Sequence, residues 1–289
     1  MAAEPVATAR SESLGSTRGL PVDRLLLSLP LVLSATAATA QPLQVQADAL
    51  GLSGDSATSE LHLPAVPGPY PAVVLLHGCS GITPTVRRWA KRLTQWGYAA
   101  LVLDSFTPRG VNNVCREAER GLPQTRTDTL VRVPPRSRVR DAFGAATYLR
   151  ARSDIQADRI AAIGFSHGGT TALIAASQAA VTGQAAQPFA SVVAFYPWCP
   201  LGGGPVASPV LILIGDADDW TPAERCMQRQ ADWRLEYGFT SLHVYPGATH
   251  AFDATAPERL YFGHRLRHDA SATADAAARL RAFLNAPPR

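Results

Sequence analysis

Short, nearly continuous apolar runs recur along the chain, and stretches with the apolar spacing of a helix alternate with them. Runs of this kind are typical of strands that are buried on both faces of a parallel sheet. They predict strands at residues 71–78, 99–106, 159–165, 191–197, 209–215 and 241–247. The helical patterns cover residues 86–96, 138–152, 168–181, 222–237 and 271–284. This alternation predicts a single α/β domain with a mostly parallel central sheet flanked by helices.

Two segments lie outside this alternation. Residues 43–63 are expected to add one or two outer strands to the sheet. Residues 107–135 contain several arginines and prolines and no clear periodicity, so we expect them to lie over the surface as a rim or cap.

The first 40 residues have the pattern of a secretory signal peptide. A polar stretch ends at Arg24, a short apolar core follows at residues 25–37, and small residues precede a cleavage position after Ala40. The alternative is a membrane anchor, but this core is shorter than the ~18 apolar residues that a span needs. The sequence therefore predicts a signal peptide at residues 1–40, which is removed, and a mature domain at residues 41–289 that is periplasmic or secreted.

Composition and charge narrow the classes of partner. The chain has 289 residues, of which 46% are hydrophobic and 17% charged, enough to bury a sizeable core. The formal net charge of +4 is carried almost entirely by arginine, since Lys91 is the only lysine, and no basic block stands out. We therefore expect no nucleic acid partner, no membrane association after signal removal, and a monomer that binds a small molecule.

The chain contains four cysteines, at positions 79, 115, 199 and 226. An even number in an exported chain, with no C-x-x-C motif and no histidine at metal-ligand spacing, favours disulfides over zinc. Three pairings are open from the sequence. We favour Cys79 with Cys115 and Cys199 with Cys226, because each pair would join loops that leave the same ends of neighbouring strands. The alternative is four free, buried thiols.

The stretch from Gly164 to Gly168, with sequence GFSHG, stands where a predicted strand ends and a predicted helix begins. A nucleophile elbow requires this setting, and it requires small residues two positions before and two after its serine. The turn would hold the hydroxyl of Ser166 over the helix N-terminus, whose free N–H groups favour developing negative charge. The alternative is a serine that happens to lie in a glycine-rich turn.

A serine nucleophile needs a histidine base that is oriented by a carboxylate. Asp216, Asp218 and Asp219 follow one predicted strand, and His250 follows the next, in the order Ser, Asp, His that α/β-hydrolases use. Ligands bind at the carboxyl ends of such strands, so we expect these groups to converge there. The alternative for His250 is a loop histidine without a role.

An oxyanion hole needs two backbone donors. The N–H of His167, directly after the candidate nucleophile, is expected to be the first. The loop HGCSG after the first core strand is expected to supply the second, from Cys79. Because both donors are backbone groups, the side chain of Cys79 stays available for a disulfide.

Several motifs together resemble the dienelactone hydrolase family of α/β-hydrolases. They are LLHGCSG, the strand ending in DSF, IGFSHGG, G-x-x-D-x-x-x-P at residues 215–222, and HAF at residues 250–252. The resemblance runs from about Tyr70 to the C-terminus and implies the α/β-hydrolase fold and a hydrolase triad in which Asp218 is the acid. Two positions depart from the family pattern, since Ser166 replaces a cysteine nucleophile and Gly78 replaces a glutamate. We therefore carry over the fold and the triad, but not the substrate.

Four further side chains are candidates for substrate binding. Phe106, Trp198 and Trp220 stand in loops that should face the site, where they would line an apolar acyl or aryl pocket. Each is equally compatible with a place at the rim of the core. Arg109 would meet a carboxylate on the substrate, or else be a solvated surface residue.

These residues together predict an exported serine hydrolase that cleaves carboxylic esters through an acyl-enzyme. No metal and no cofactor is implied. Three alternatives remain open: an exported serine peptidase, a polyester hydrolase as a narrower form of the esterase, and a non-catalytic binding protein on the same fold.

Overall fold

The structure is a computed structural model that describes residues 41–52, 58–115, 133–200, 204–236 and 240–286. The signal peptide predicted at residues 1–40 lies outside these ranges, and so does residue range 116–132 of the predicted rim segment. Within the described ranges, no helix has both the length and the apolar character needed to cross a membrane.

An eight-stranded sheet forms the centre of the molecule. Its strands are β1 (Leu43–Val45), β2 (Ser59–His62), β3 (Tyr70–Leu76), β4 (Ala99–Leu103), β5 (Ile155–Phe165), β6 (Val192–Phe195), β7 (Val210–Gly215) and β8 (Thr240–Tyr245). They are ordered β1-β2-β4-β3-β5-β6-β7-β8, with β3 to β8 parallel and with β1 and β2 antiparallel at one edge. The mostly parallel sheet and its two outer strands are therefore confirmed.

Helices cover the sheet. They are α1 (Pro84–Gln95), α2 (Arg138–Arg150), α3 (His167–Ala175), α4 (Gln178–Gly183), α5 (Ala223–Glu236) and α6 (Ala270–Asn285). Helix α1 packs against β4, α2 and α3 against β5, and α5 against β8. Residues 72–76 and 99–103 are completely buried as a result. This explains why these strands are apolar at successive positions and do not alternate.

The single helix predicted at residues 168–181 is wrong, because the chain forms two helices there. Helix α3 ends at Ala175, and the hydroxyl of Ser177 accepts a hydrogen bond from the N–H of Ala180 at 3.2 Å. A serine that caps the backbone in this way begins a new helix. Ser177 also forms an isolated bridge with Val206, so a tertiary contact interrupts an apolar pattern that is continuous in sequence.

The sequence analysis missed a short hairpin of β9 (Arg259–Tyr261) and β10 (His264–Leu266). Its turn is formed by Phe262 and Gly263, which both have positive φ. Strands of three residues are too short for an alternating pattern to identify them. The hairpin matters for the site because Leu266 bridges to His250.

The register of the parallel strands brings their carboxyl ends to one edge. Leu76 pairs with Gly164, Phe165 with Phe195, and Gly215 with Tyr245. The loops that follow β3, β5, β6, β7 and β8 therefore emerge side by side, at the edge where ligands bind in open α/β sheets.

Candidate active site

Ser166 lies in a sharp turn between β5 and α3. Its backbone has φ 52° and ψ −117°, a conformation that serine rarely adopts. The turn is held at both sides, since the N–H of Ser166 donates to the carbonyl of Phe195 at 2.9 Å and the N–H of Thr170 donates to the carbonyl of Ser166 at 2.9 Å. This is the geometry of a nucleophile elbow, which lifts the side chain above the sheet edge.

Two glycines allow the turn to close. A Cβ atom at Gly164 would lie 2.0 Å from the carbonyl oxygen of Gly168. A Cβ atom at Gly168 would lie 2.1 Å from the carbonyl oxygen of Leu76 on the neighbouring strand. Any side chain at either position would force the backbone apart, so the G-x-S-x-G spacing has a steric cause here.

His250 and Asp218 extend a hydrogen-bonded series from the serine hydroxyl. Nε2 of His250 lies 2.9 Å from Oγ of Ser166, and Nδ1 lies 2.8 Å from Oδ2 of Asp218. Both His250 and Asp218 are buried. A carboxylate at Nδ1 favours the tautomer with the proton on that nitrogen, which leaves Nε2 as the acceptor for the serine proton.

Asp218 is held as a carboxylate by several donors. Its Oδ1 accepts from the N–H groups of Trp220 at 3.0 Å and Thr221 at 2.8 Å, and its Oδ2 accepts from the hydroxyl of Thr221 at 2.8 Å. Burial acts to raise its pKa, but the charge of His250 and these hydrogen bonds outweigh burial and keep the pKa below the ordinary value. The sequence analysis missed Thr221, although aspartate often bonds the backbone two residues ahead in an Asx turn, as Asp218 does with Trp220, and such a turn places the next residues against the carboxylate.

The neighbouring carboxylates have other partners. Oδ1 of Asp216 accepts from the N–H of Gly247 at 2.6 Å, in the loop that leads to His250. Oδ1 of Asp219 lies 3.3 Å from Nδ1 of His264 on the hairpin. Of the three aspartates that follow β7, Asp218, which the family resemblance implied as the acid, is the one that lies against His250.

The two segments expected to supply the oxyanion donors lie next to Ser166. His167 is the first residue of α3, where the N–H has no partner within the helix. The loop after β3 lies beside the serine, since a Cβ atom at Gly78 would be 3.6 Å from Cβ of Ser166. Cys79 follows in that loop, and its carbonyl accepts from the N–H of Val114 at 2.8 Å.

Two disulfides are present. Cys79 is bonded to Cys115 and Cys199 is bonded to Cys226, which are the pairs that the sequence analysis favoured. The first disulfide ties the loop that contains Cys79 to residues 111–115. The second ties the loop after β6 to helix α5.

Phe106 and Arg109 both have partners within the chain, which favours the alternatives to substrate binding that the sequence analysis left open. Phe106 is 1% exposed, and its ring lies 4.4 Å from the ring of His77, so it supports the loop after β3 from below and does not line an open pocket. Arg109 forms two hydrogen bonds of 2.8 Å to the carboxylate of Asp141 and one of 2.7 Å to the carbonyl of Ser105. Its charge is therefore matched within the chain and is not directed at a substrate carboxylate.

Trp220 covers the imidazole of His250, with 5.0 Å between the ring centroids. His264 stacks on the indole at 4.6 Å, and Tyr261 lies 6.0 Å from it. The hairpin thus adds an aromatic wall that the sequence analysis missed. The signal was the aromatic pair of residues 261–262 before a glycine, in a segment without a predicted element.

Trp198 lies on the other side of the nucleophile turn. The backbone N–H of Trp198 donates to the hydroxyl of Thr170, which lies one helical turn after Ser166, at 3.0 Å. The guanidinium of Arg225 lies 4.2 Å from the indole centroid. Trp198 is partly exposed, and its contact with a substrate stays a prediction.

No group of three or more histidine, cysteine, aspartate or glutamate side chains within the described ranges is arranged to hold a metal ion.

The chain is similar to known hydrolases over most of its length. The sequence model of the dienelactone hydrolase family matches residues 59–287. A curated protein of Bradyrhizobium sp. named "Probable 2-oxo-3-(5-oxofuran-2-ylidene)propanoate lactonase" is 28% identical over 210 residues, which cover 70% of this chain and 82% of the relative.

Solved structures share the fold. A dienelactone hydrolase-like promiscuous phosphotriesterase from metagenomic libraries has a TM-score of 0.60 at 25% identity, with 78% of this chain and 90% of that one covered. A thermophilic esterase from Thermogutta terrifontis has a TM-score of 0.60 at 16% identity, with 86% and 94% covered. An α/β-hydrolase from a deep-sea metagenome library has a TM-score of 0.57 at 15% identity, with 84% and 98% covered. The predicted α/β-hydrolase fold is therefore confirmed.

Proposed function

Because the chain belongs to the dienelactone hydrolase family of α/β-hydrolases, we propose that it is an exported serine hydrolase that cleaves carboxylic esters. In this proposal Ser166 is the nucleophile, His250 the general base and Asp218 the acid that orients it. The observation that carries the proposal is the continuous series of hydrogen bonds from the hydroxyl of Ser166 through His250 to Asp218, at 2.9 and 2.8 Å.

The first half of the reaction forms an acyl-enzyme. Oγ of Ser166 attacks the carbonyl carbon of the ester while Nε2 of His250 takes the hydroxyl proton. The negative charge that develops on the carbonyl oxygen is stabilised by the N–H groups of Cys79 and His167. His250 then gives its proton to the alcohol oxygen as the C–O bond breaks, and the alcohol leaves.

The second half releases the acid. His250 removes a proton from a water molecule, whose oxygen attacks the acyl carbon of the ester bond to Ser166. The tetrahedral intermediate places its oxygen at the same two N–H groups, and the proton returns through His250 to Oγ of Ser166. Asp218 stays ionised through both halves, because its hydrogen bonds keep its pKa below the ordinary value.

The surroundings of the serine favour an uncharged acyl or aryl group. Trp220 presents aromatic surface beside His250, whose Nε2 meets the hydroxyl of Ser166, while Arg109 is engaged with Asp141. The name of the Bradyrhizobium relative refers to a lactone, which is a cyclic ester, and a lactone ring would be opened by the same two steps. We therefore include lactones among the proposed substrates.

Export is supported by two independent features. The first 40 residues have the charge and apolar pattern of a signal peptide. The two disulfides are of a kind that persists in oxidising compartments. A periplasmic or secreted location follows, with the chain from Gln41 as the mature enzyme.

The test is hydrolysis of p-nitrophenyl esters of increasing acyl length by the mature protein. We expect turnover by the wild type, with kcat lowered by about 10⁴-fold or more in Ser166→Ala and by roughly 10⁴-fold in Asp218→Asn. The matched p-nitroanilides distinguish an esterase from a peptidase, since an esterase leaves them largely intact.

Two controls make the test specific. Asp219→Asn changes the exposed neighbouring carboxylate, and Ser271→Ala changes an exposed serine on α6, and both should retain most of the activity. A wild type that hydrolyses no ester, or a Ser166→Ala variant with full activity, would contradict the proposal and favour a binding protein on this fold.

A further inference from the structure

Arg138, the first residue of α2, has a fully buried guanidinium directly behind the nucleophile turn. Its Nη1 donates to the carbonyl oxygen of His77 at 2.9 Å and lies 2.8 Å from Nδ1 of His167. His77 begins the loop that leads to Cys79, and His167 directly follows Ser166. One nitrogen atom therefore contacts both segments that would supply the oxyanion donors, through the backbone carbonyl of His77 and through the side chain of His167.

The stability of the fold does not explain this buried charge. Nε and Nη2 of Arg138 have no hydrogen-bond partner among the described residues. The carboxylate of Asp141, one helical turn away, gives both of its oxygens to Arg109 at 2.8 Å. A desolvated cation without its own carboxylate is costly, and a buried polar atom without a partner is uncommon in a native structure.

Arg138 stays charged in spite of its burial. Burial lowers its pKa to about 10, while the nearby charge of Asp141 acts in the opposite direction, so the group is protonated at neutral pH. The ring of Phe106 lies 5.0 Å from the guanidinium carbon and closes one side of it. The positive charge is thus fixed close to the turn where negative charge would develop.

Burial and the charge of the guanidinium together keep both imidazoles neutral. Since Nη1 can only donate, Nδ1 of His167 must be an unprotonated acceptor. Burial and the charge of Arg138 lower the pKa of His167 well below its ordinary value and lower that of His77 to about 3. His77 in turn bonds the carbonyl of Gly78 at 2.8 Å through its own Nδ1. Both loops are therefore held by neutral rings with defined hydrogen-bond directions.

We propose that Arg138 is a positioning residue for the oxyanion hole, which sets the spacing between the N–H groups of Cys79 and His167 and adds a fixed positive charge behind them. This inference rests on the proposed function, because it needs a reaction in which an oxyanion forms. The interaction acts on the transition state more than on the bound ester, so its loss lowers kcat and leaves KM nearly unchanged.

The test compares Arg138→Met with Arg140→Met, which removes an exposed arginine from the same helix. With p-nitrophenyl butyrate, Arg138→Met should lower kcat by about 10- to 100-fold with KM within about 2-fold, because small displacements of catalytic donors have effects of this size. The inhibition constant of a boronic acid, which forms a tetrahedral adduct with serine, should rise by a similar factor. Arg140→Met should behave as the wild type. A folded Arg138→Met enzyme with unchanged kcat, or with a change in KM alone, would overturn the inference.

A second pair of variants covers the case in which Arg138→Met does not fold. His167→Asn places the amide oxygen near the position of Nδ1, so that Nη1 of Arg138 keeps an acceptor, whereas His167→Leu removes it. We expect kcat of the Asn variant to exceed that of the Leu variant by about 10-fold, with both checked for native circular dichroism. Equal kcat values would overturn the inference.

The outcomes separate this inference from the proposed function. If the wild type hydrolyses no ester, or if Ser166→Ala remains active, the proposed function fails and the inference falls with it. If the wild type is active and loses its activity in Ser166→Ala, but both tests of Arg138 show no change in kcat, the inference alone is wrong.

Discussion

The hydroxyl of Thr221 lies 2.8 Å from Oδ2 of Asp218, the oxygen that also meets the imidazole of His250. Thr221 contributes its backbone N–H to the other oxygen of the same carboxylate, at 2.8 Å. One residue therefore binds both oxygens of Asp218 and fixes the plane of the carboxylate against the ring. A hydrogen bond to a charged group of this kind contributes roughly 1.5–3 kcal/mol.

We predict that Thr221→Val lowers kcat about 10-fold, because the valine keeps the size and the backbone donor but loses the hydroxyl that orients Asp218. Thr221→Ser retains the hydroxyl and should keep most of the activity. Steady-state kinetics on a p-nitrophenyl ester measure both. If the valine and serine variants have the same kcat, the hydroxyl does not orient the acid.

The close packing at the nucleophile elbow predicts that alanine substitutions at two glycines have very different effects on the free energy of unfolding. Gly164→Ala would place Cβ 2.0 Å from the carbonyl oxygen of Gly168, so the variant should lose at least about 3 kcal/mol of unfolding free energy. Gly183→Ala, at the end of α4, meets no atom within 4 Å and should be neutral or slightly stabilising. Urea unfolding of both variants tests this. Equal midpoints would show that the turn can open without cost.

The aromatic wall predicts a change in substrate range. Trp220→Ala removes the indole that covers His250, so kcat/KM for p-nitrophenyl benzoate should fall about 10-fold more than kcat/KM for p-nitrophenyl acetate. Tyr261→Ala, which changes the hairpin, should act in the same direction with a smaller effect. Equal losses on both esters would mean that the wall does not contact the acyl group.

The ionisation of Asp104 is expected to make the stability of the fold depend on pH. Burial acts to raise its pKa, but hydrogen bonds from the side chain of Thr107 and from the backbone of Thr107 and Phe106 outweigh burial and keep the pKa below its ordinary value. A lowered pKa means that the folded state prefers the carboxylate, so this contribution is present above the ordinary pKa and is lost as pH falls through the folded value.

We therefore expect Asp104→Asn to be less stable than the wild type at pH 7, and the difference in unfolding free energy to shrink as pH falls from 5 to 3. Urea unfolding at several pH values measures it. A difference that is constant or grows in acid would show that ionisation of Asp104 does not stabilise the fold.

The two disulfides are expected to differ in function more than in stability. Each closes a segment of similar length, 36 and 27 residues, so removal of either by paired Cys→Ser changes should cost roughly 3–4 kcal/mol. Of the two disulfides, only the one between Cys79 and Cys115 holds a loop that contains a proposed oxyanion donor, the N–H of Cys79. Its removal should therefore lower kcat of the folded enzyme more than removal of Cys199–Cys226, as measured at a temperature where both variants are folded. Equal kcat values would contradict a role of that disulfide in positioning the loop.

Local patterns were sufficient to predict the sheet and the nucleophile turn. Apolar runs identified all six parallel strands. Strands β3 and β4 are buried along nearly their whole length and read as continuous apolar runs, whereas β8 at the edge of the sheet has exposed and half-buried polar positions. The spacing of Gly164, Ser166 and Gly168 predicted the elbow because only glycine fits at the crossing of β5 with α3. The role of these residues in catalysis stays a prediction until the variants are measured.

Only the tertiary structure decided the contacts between segments that are distant in sequence. The contact of Asp218 with His250, which the sequence implied only through the family resemblance, depends on where the β8 loop places His250, and the pairing of Arg109 with Asp141 depends on how α2 docks. The hairpin at residues 259–266 had only a weak local signal, the aromatic pair before Gly263, and the buried Arg138 had none, since their partners lie far along the chain. A periodic pattern reports which face of an element is buried, but it does not report which side chain of another element meets it there.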